Sequence, residues 1–247
     1  MRLADLDLHP SEIKKITWHF MLSDFFCVLK LINMRHIFLK LFLLDALIEL
    51  VLPFLMPTFP EARLVSKPLL MILLIGHIAL ENPKPALFFT AIFALLGDVF
   101  LMIPGDNPLY FQLGLGSFLV MQLSYIRLFA RQTQDKSWIP AHARQPLAGI
   151  LIYVFSFLAF LNPHLAEGMK IPVTLYAFAL GAMLYFAIRL RNPTIVWGAF
   201  FFVVSDSVLA FGKFYYSFPM ISTVVMSTYI VAQLLLISAL CKLQFKK

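Results

Sequence analysis

Two aspartates lie deep in apolar runs, and they are the residues here most able to do chemistry. Asp98 sits in Leu95-Leu96-Gly97-Asp98-Val99-Phe100-Leu101 and is the only ionisable residue from Pro85 to Met102. Asp206 sits in a matching phrase, Val203-Val204-Ser205-Asp206-Ser207-Val208-Leu209. Both read small–Asp–x–x–Leu. A charged carboxylate at the centre of an apolar helix costs about 3 kcal/mol or more, so it is rarely an accident of drift. Two carboxylates sharing one low-dielectric pocket cannot both ionise easily. Such a pair splits into an acid and a base, the arrangement used to hydrolyse acetal-like bonds. The bland alternative is that each aspartate only hydrogen-bonds a neighbouring helix.

Other polar side chains could line the same cavity. Lys67, Tyr125, Tyr176, Tyr229 and Gln233 all fall inside or at the edge of apolar segments. As plain interhelical hydrogen bonders the tyrosines and Gln233 need no further role. Asp45 and Glu49 are spaced i, i+4 and could line a cavity mouth, but pairing with Lys40 is the simpler expectation. His77 is the only histidine well inside an apolar segment. No cluster with zinc-ligand spacing appears, so no metal or cofactor is expected. There is no GxSxG, HExxH, P-loop or Rossmann turn, which argues against a serine hydrolase, a metalloprotease and a nucleotide-driven pump.

The elements that must position these residues are helices in a bilayer. Of the 247 residues, 61% are hydrophobic and 13% charged, with 26 Phe. A soluble domain carries about 25% charged residues. The composition predicts an all-α, polytopic membrane bundle. Eight spans are predicted near 37–57, 64–81, 85–103, 109–130, 147–163, 170–189, 194–212 and 219–241, punctuated by Asn82-Pro83, Pro104-Gly105-Asp106, Asn162-Pro163 and Asn192-Pro193. Residues 1–36 are a separate N-terminal extension: either an amphipathic surface helix, or residues upstream of a true start at Met34. Residues 37–247 form the transmembrane domain. Cys27 and Cys241 show no metal or redox spacing.

The net charge of +7 reflects loops that fix topology rather than a nucleic-acid surface. Nearly all Lys and Arg fall in the N-terminal segment, the 2–3, 4–5 and 6–7 loops and the C-terminus. Only Arg63, Lys67, Lys170 and Lys213 fall on the opposite side. Both termini are therefore expected in the cytoplasm, in a cell membrane (an inner membrane if the source is bacterial). The aspartates then lie roughly 8–10 Å below the non-cytoplasmic boundary. Lys67-Pro68 and Lys170-Ile171-Pro172, the two aspartates, and Ser124-Tyr125-Ile126 and Thr228-Tyr229-Ile230 recur four spans apart. That offset would make two parallel four-helix repeats.

The chain resembles the YhhN-like family of lysoplasmalogenases. The phrases that carry the resemblance are Lys67-Pro68-Leu69; Leu96-Gly97-Asp98-Val99-Phe100-Leu101; Ser124-Tyr125-Ile126; Pro172-Val173-x-x-Tyr176; Gly198-Ala199-x-x-Phe202-x-x-Ser205-Asp206; and Tyr229-x-x-Ala232-Gln233. One departure is Gln122, where the family often has His. The resemblance implies hydrolysis of the vinyl ether of lysoplasmalogens to a fatty aldehyde and a glycerophospho-ethanolamine or -choline. Asp98 and Asp206 would then be catalytic, with Lys67, Tyr125, Tyr176, Tyr229 and Gln233 binding substrate and Lys67 serving the phosphate. It implies a lysophospholipid substrate and contact with bilayer lipid, with no nucleic acid; nothing in the sequence fixes an oligomeric state. Two rivals remain open: a proton-coupled lipid or metabolite transporter, and a non-catalytic lipid-binding bundle. No span is broken near its midpoint by a Gly/Pro cluster, which counts against the transporter.

Overall fold

The structure is a computed structural model that describes residues 37–51, 63–81, 85–103, 107–133, 137 and 139–243. The predicted extension 1–36 lies outside the described residues. Among the described residues eight α-helices follow in order: α1 (37–51), α2 (Arg63–Leu80), α3 (Pro85–Met102), α4 (Pro108–Gln132), α5 (Ala141–Leu161), α6 (Glu167–Leu190), α7 (Pro193–Phe214) and α8 (Ile221–Lys242). Six of them, α3 to α8, are long and apolar enough to cross a membrane, while the apolar part of α2 is the shorter Leu64–Leu80. The protein is a multi-pass membrane bundle.

Local chemistry explains the boundaries. Asn107 caps α4 by accepting from the Leu109 amide at 3.0 Å, and Asn192 caps α7 by accepting from the Thr194 and Ile195 amides at 3.1 and 3.3 Å. Each cap precedes a proline at the first helical turn, where the missing N–H costs nothing. α6 stops because Arg191 turns left-handed, at φ 58°, before Asn192-Pro193.

Several helices start earlier than predicted, α5 by six residues and α6 by three. α5 begins at Ala141 rather than 147, so His142 and Arg144 lie in its first turns and not in a loop. α2 begins at Arg63, so Lys67 stands a full turn inside the helix instead of opening it. In both cases a proline, Pro146 or Pro68, is the sixth residue of the helix. So near the N-terminus it deletes one backbone bond without ending the helix.

The main core joins α1, α2, α3, α4, α6, α7 and α8, with Phe42, Met71, Leu87, Phe118, Tyr125, Met183, Phe202 and Leu236 among its buried members. α3 packs most closely on α4, and α7 on α8. α4 also crosses to α6 and, more sparingly, α8 to α2, the exchange that two four-helix halves would make. α5 leans on α6 at the edge and turns Ile152 and Phe155 outward. An apolar exterior of this kind suits lipid tails.

Close helix contact at the site depends on glycine. A Cβ at Gly97 would stand 2.7 Å from the Phe118 ring, and one at Gly114 would stand 2.7 Å from the Leu101 side chain. Small residues at such a crossing let membrane helices approach closely. Gly97→Val is therefore expected to destabilise the bundle by about 1–3 kcal/mol, read as a lower melting temperature in detergent. A melting temperature equal to that of the unsubstituted protein would show that α3 and α4 are not held this tightly.

Candidate active site

The two aspartates come from adjacent positions in the two halves, each on a helix whose neighbour supplies a tyrosine. Asp98, on α3, is 1% exposed and Asp206, on α7, is 9% exposed. The Tyr229 hydroxyl of α8 donates to Asp98 Oδ2 at 2.6 Å, and Lys67 Nζ of α2 lies 3.4 Å from Asp98 Oδ1. The Tyr176 hydroxyl of α6 donates to Asp206 Oδ2. The two carboxyl groups and Lys67 are close enough for their charges to interact. Three helices thus converge on Asp98, and Asp206 joins the group from the opposite wall.

Tyr125 and Gln233 form the next layer. Tyr125 Oη donates to Gln233 Oε1 at 3.1 Å, and the Gln233 amide donates to Met121 Sδ at 3.6 Å. Gln233 stands one turn along α8 from Tyr229. The repeat suggests that Tyr125 should mirror Tyr229 and reach Asp206. Instead Tyr176 takes that place and Tyr125 bonds Gln233, so the halves differ at the site itself. Lys67 and Lys170 also part company: Lys67 turns inward to Asp98, whereas Lys170 pairs with Glu167 at 2.6 Å on the surface.

Four features were not read from the sequence. Glu49 is fully buried and accepts a hydrogen bond from Ser66, next in sequence to Lys67. Asp45 is buried beside it, while Lys40 is exposed, so the expected Lys40 pairing is replaced by an inward-facing acidic pair. The reason is helical phase: Phe42, Asp45, Ala46 and Glu49 share the buried stripe, and Lys40 lies off it. Tyr153 of α5 and Ser207 of α7 share a hydrogen bond next to Asp206. Gln122 is fully buried, and neither end of its amide has a hydrogen-bond partner. Lys213 is the fourth, at the end of α7.

Two cavities flank the aspartates. One, of about 790 Å³ counted to its open mouth, lies among α3 to α7, and its wall is apolar apart from Tyr153, Tyr176, Asp206 and Ser207. A second, of about 560 Å³ counted the same way, is bordered by Lys67, Lys213, Ser217 and Ser222. Leu209, one turn after Asp206, lies in the walls of both. An elongated amphiphile whose tail fills the first and whose other end reaches the second would pass Asp206 and Leu209.

Fold and site together define an integral membrane protein with a carboxylate pair enclosed by a helical bundle. The family model described as "YhhN family" matches residues 62–240. The chain belongs to the YhhN family. It is 36% identical to the mouse protein named lysoplasmalogenase TMEM86B over 130 residues, 53% of this chain and 54% of that one. To a lysoplasmalogenase of Mycobacterium bovis it is 31% identical over 157 residues, 62% of this chain and 57% of that one. To bovine lysoplasmalogenase TMEM86A it is 29% identical over 203 residues, 75% of this chain and 80% of that one. The chain thus spans about half the length of the mouse and mycobacterial relatives. No solved structure matches it.

Proposed function

We propose that this protein is a lysoplasmalogenase, a hydrolase of the vinyl ether bond of lysoplasmalogens that works with two carboxyl groups. The observation that carries the reading is the buried Asp98–Asp206 pair in which only one member has a cation beside it. The relatives' names supply the reaction class.

The asymmetry supports a division of roles. Lys67 balances an ionised Asp98. Among the described residues Asp206 has no cation within ion-pairing distance and lies in an apolar wall, where a carboxyl group is cheapest in its neutral form. Tyr176 occupies Asp206 Oδ2, leaving Oδ1 to carry the proton. Asp206 then delivers that proton to the β-carbon of the vinyl ether, and the carbon bearing the ether oxygen becomes an oxocarbenium centre. Asp98 stabilises this cation and takes a proton from the attacking water, whose oxygen joins that carbon. The resulting hemiacetal collapses: its hydroxyl becomes the aldehyde carbonyl and the glycerol oxygen leaves with a proton. Water is consumed, and the products are a fatty aldehyde and a glycerophospho-ethanolamine or -choline. Tyr229 and Tyr176 orient the two carboxyl groups, and Tyr125 with Gln233 holds Tyr229's helix in register. Lys67, which also borders the second cavity, keeps its charge for Asp98.

The basic loops support an orientation with both termini in the cytoplasm of the cell that bears this membrane. A reporter fused after Lys247 should then report cytoplasm, and one inserted at 104–108 should report the other side. An external C-terminus would overturn that orientation. For the activity, purified protein given an alkenyl lysophosphatidylethanolamine should release fatty aldehyde; intact substrate after prolonged incubation would refute it.

A further inference from the structure

We infer that Lys213, in the wall of the second cavity, is the residue that binds the substrate's headgroup phosphate. The inference rests on the lysoplasmalogenase reading and adds a subsite to it. Two cations border the second cavity, Lys67 and Lys213, and they differ in their partners. Lys67 already faces the Asp98 carboxylate at 3.4 Å, so its charge is largely spent inside the protein. Among the described residues Lys213 has no carboxylate within ion-pairing distance. Its ammonium lies 5.4 Å from the centre of the Phe111 ring, a contact that steadies the side chain without neutralising it. An uncompensated ammonium beside a cavity is a site for an anion.

The position along α7 fits the substrate's own connectivity. Asp206, Leu209 and Lys213 follow one face of the helix, with Asp206 in the wall of the first cavity, Leu209 in both walls and Lys213 in the wall of the second. Seven residues at 1.5 Å each separate Asp206 from Lys213 by about 10 Å along the axis. The three glycerol carbons, the phosphoester link and the lysine's own four-carbon stem together bridge that gap. With the alkenyl chain in the apolar cavity, the vinyl ether stands at Asp206 and the phosphate reaches Lys213. Ser217 and Ser222, in the same wall, offer hydroxyl donors to the remaining phosphate oxygens. Lys213 is exposed, so a headgroup can reach it without any opening of the bundle. The bland alternative is a lysine at a helix end that snorkels to bulk lipid headgroups.

Binding of unreactive analogues separates the two. A saturated 1-alkyl lysophosphatidylethanolamine has no vinyl ether to hydrolyse, and 1-alkylglycerol is the same molecule without its phosphoethanolamine. Lys213→Gln is expected to weaken binding of the phosphate-bearing analogue by about tenfold and to leave alkylglycerol within twofold. Lys213→Arg should restore most of the loss. With the vinyl ether substrate, the same Gln variant should raise KM more than it lowers kcat, because a phosphate contact is made in ground and transition states alike. Equal weakening of both analogues, or no weakening of either, would overturn the assignment. So would a wild-type protein that binds both analogues equally well. If phosphate-dependent binding is lost in Lys213→Gln but no aldehyde ever forms from the vinyl ether, the subsite stands and the hydrolase reading falls.

Discussion

Asp98→Asn and Asp206→Asn are each expected to lower aldehyde release by about 10²- to 10⁴-fold, the usual size of a lost general acid or base. Asparagine keeps the shape and most of the hydrogen bonding of each site but cannot carry the transferable proton. At position 98 it can still accept from Tyr229, and at position 206 from Tyr176. The double variant should be scarcely worse than either single one, since groups that act as a unit are not additive. Asp98→Asn strands the Lys67 charge, so its melting temperature must be recorded alongside its turnover. Activity within tenfold of the original in either single variant, with the fold retained, would sink the two-aspartate mechanism.

The second large effect is expected at Lys67. Removing one partner from a buried ion pair costs about 3–5 kcal/mol, because the remaining charge loses its compensation. Lys67 keeps 15% side-chain exposure, so water recovers part of that, and Lys67→Gln should cost about 2–3 kcal/mol. Turnover should fall as well, because the carboxylate meant to stabilise the oxocarbenium ion loses the cation that keeps it ionised and in place. Adding Asp98→Asn to Lys67→Gln removes both charges. The double variant should regain much of the lost stability, a coupling of about 1–3 kcal/mol, and none of the activity. If Lys67→Gln left both stability and kinetics unchanged, the lysine would be a lipid-headgroup anchor and the Asp98 pairing incidental.

Much of this was legible in the sequence, and the reasons are physical. Spans announce themselves because a bilayer demands long apolar helices, so six of the predicted eight meet the length and hydropathy of a crossing. The catalytic candidates announce themselves because a carboxyl group in such a helix is costly enough to stand out. Partner assignments were hidden, since they depend on how helices rotate against one another. Neither Tyr229 to Asp98 nor Tyr176 to Asp206 follows from spacing, and the internal repeat pointed Tyr125 the wrong way. Lys67 was grouped with the aspartates from the sequence, but its pairing with Asp98 in particular was not legible. Lys213 was counted only as a loop charge, although its seven-residue spacing from Asp206 already put both on one face. Glu49 was matched to the nearest lysine in sequence, and the buried stripe beginning at Phe42 was the signal that could have corrected it.

The transport rival and the hydrolytic reading part company in one measurement. Purified protein is reconstituted in liposomes with an alkenyl lysophosphatidylethanolamine in heavy water, and the lipid products are followed by mass spectrometry. Hydrolysis by carboxyl acid–base catalysis predicts one fatty aldehyde per substrate consumed, with a single deuterium on the carbon next to the carbonyl. That label marks delivery of an exchangeable proton to the vinyl β-carbon, and Asp206→Asn should abolish it together with the aldehyde. Movement of intact lipid or of a proton across the bilayer without aldehyde would contradict the account and make the protein a carrier.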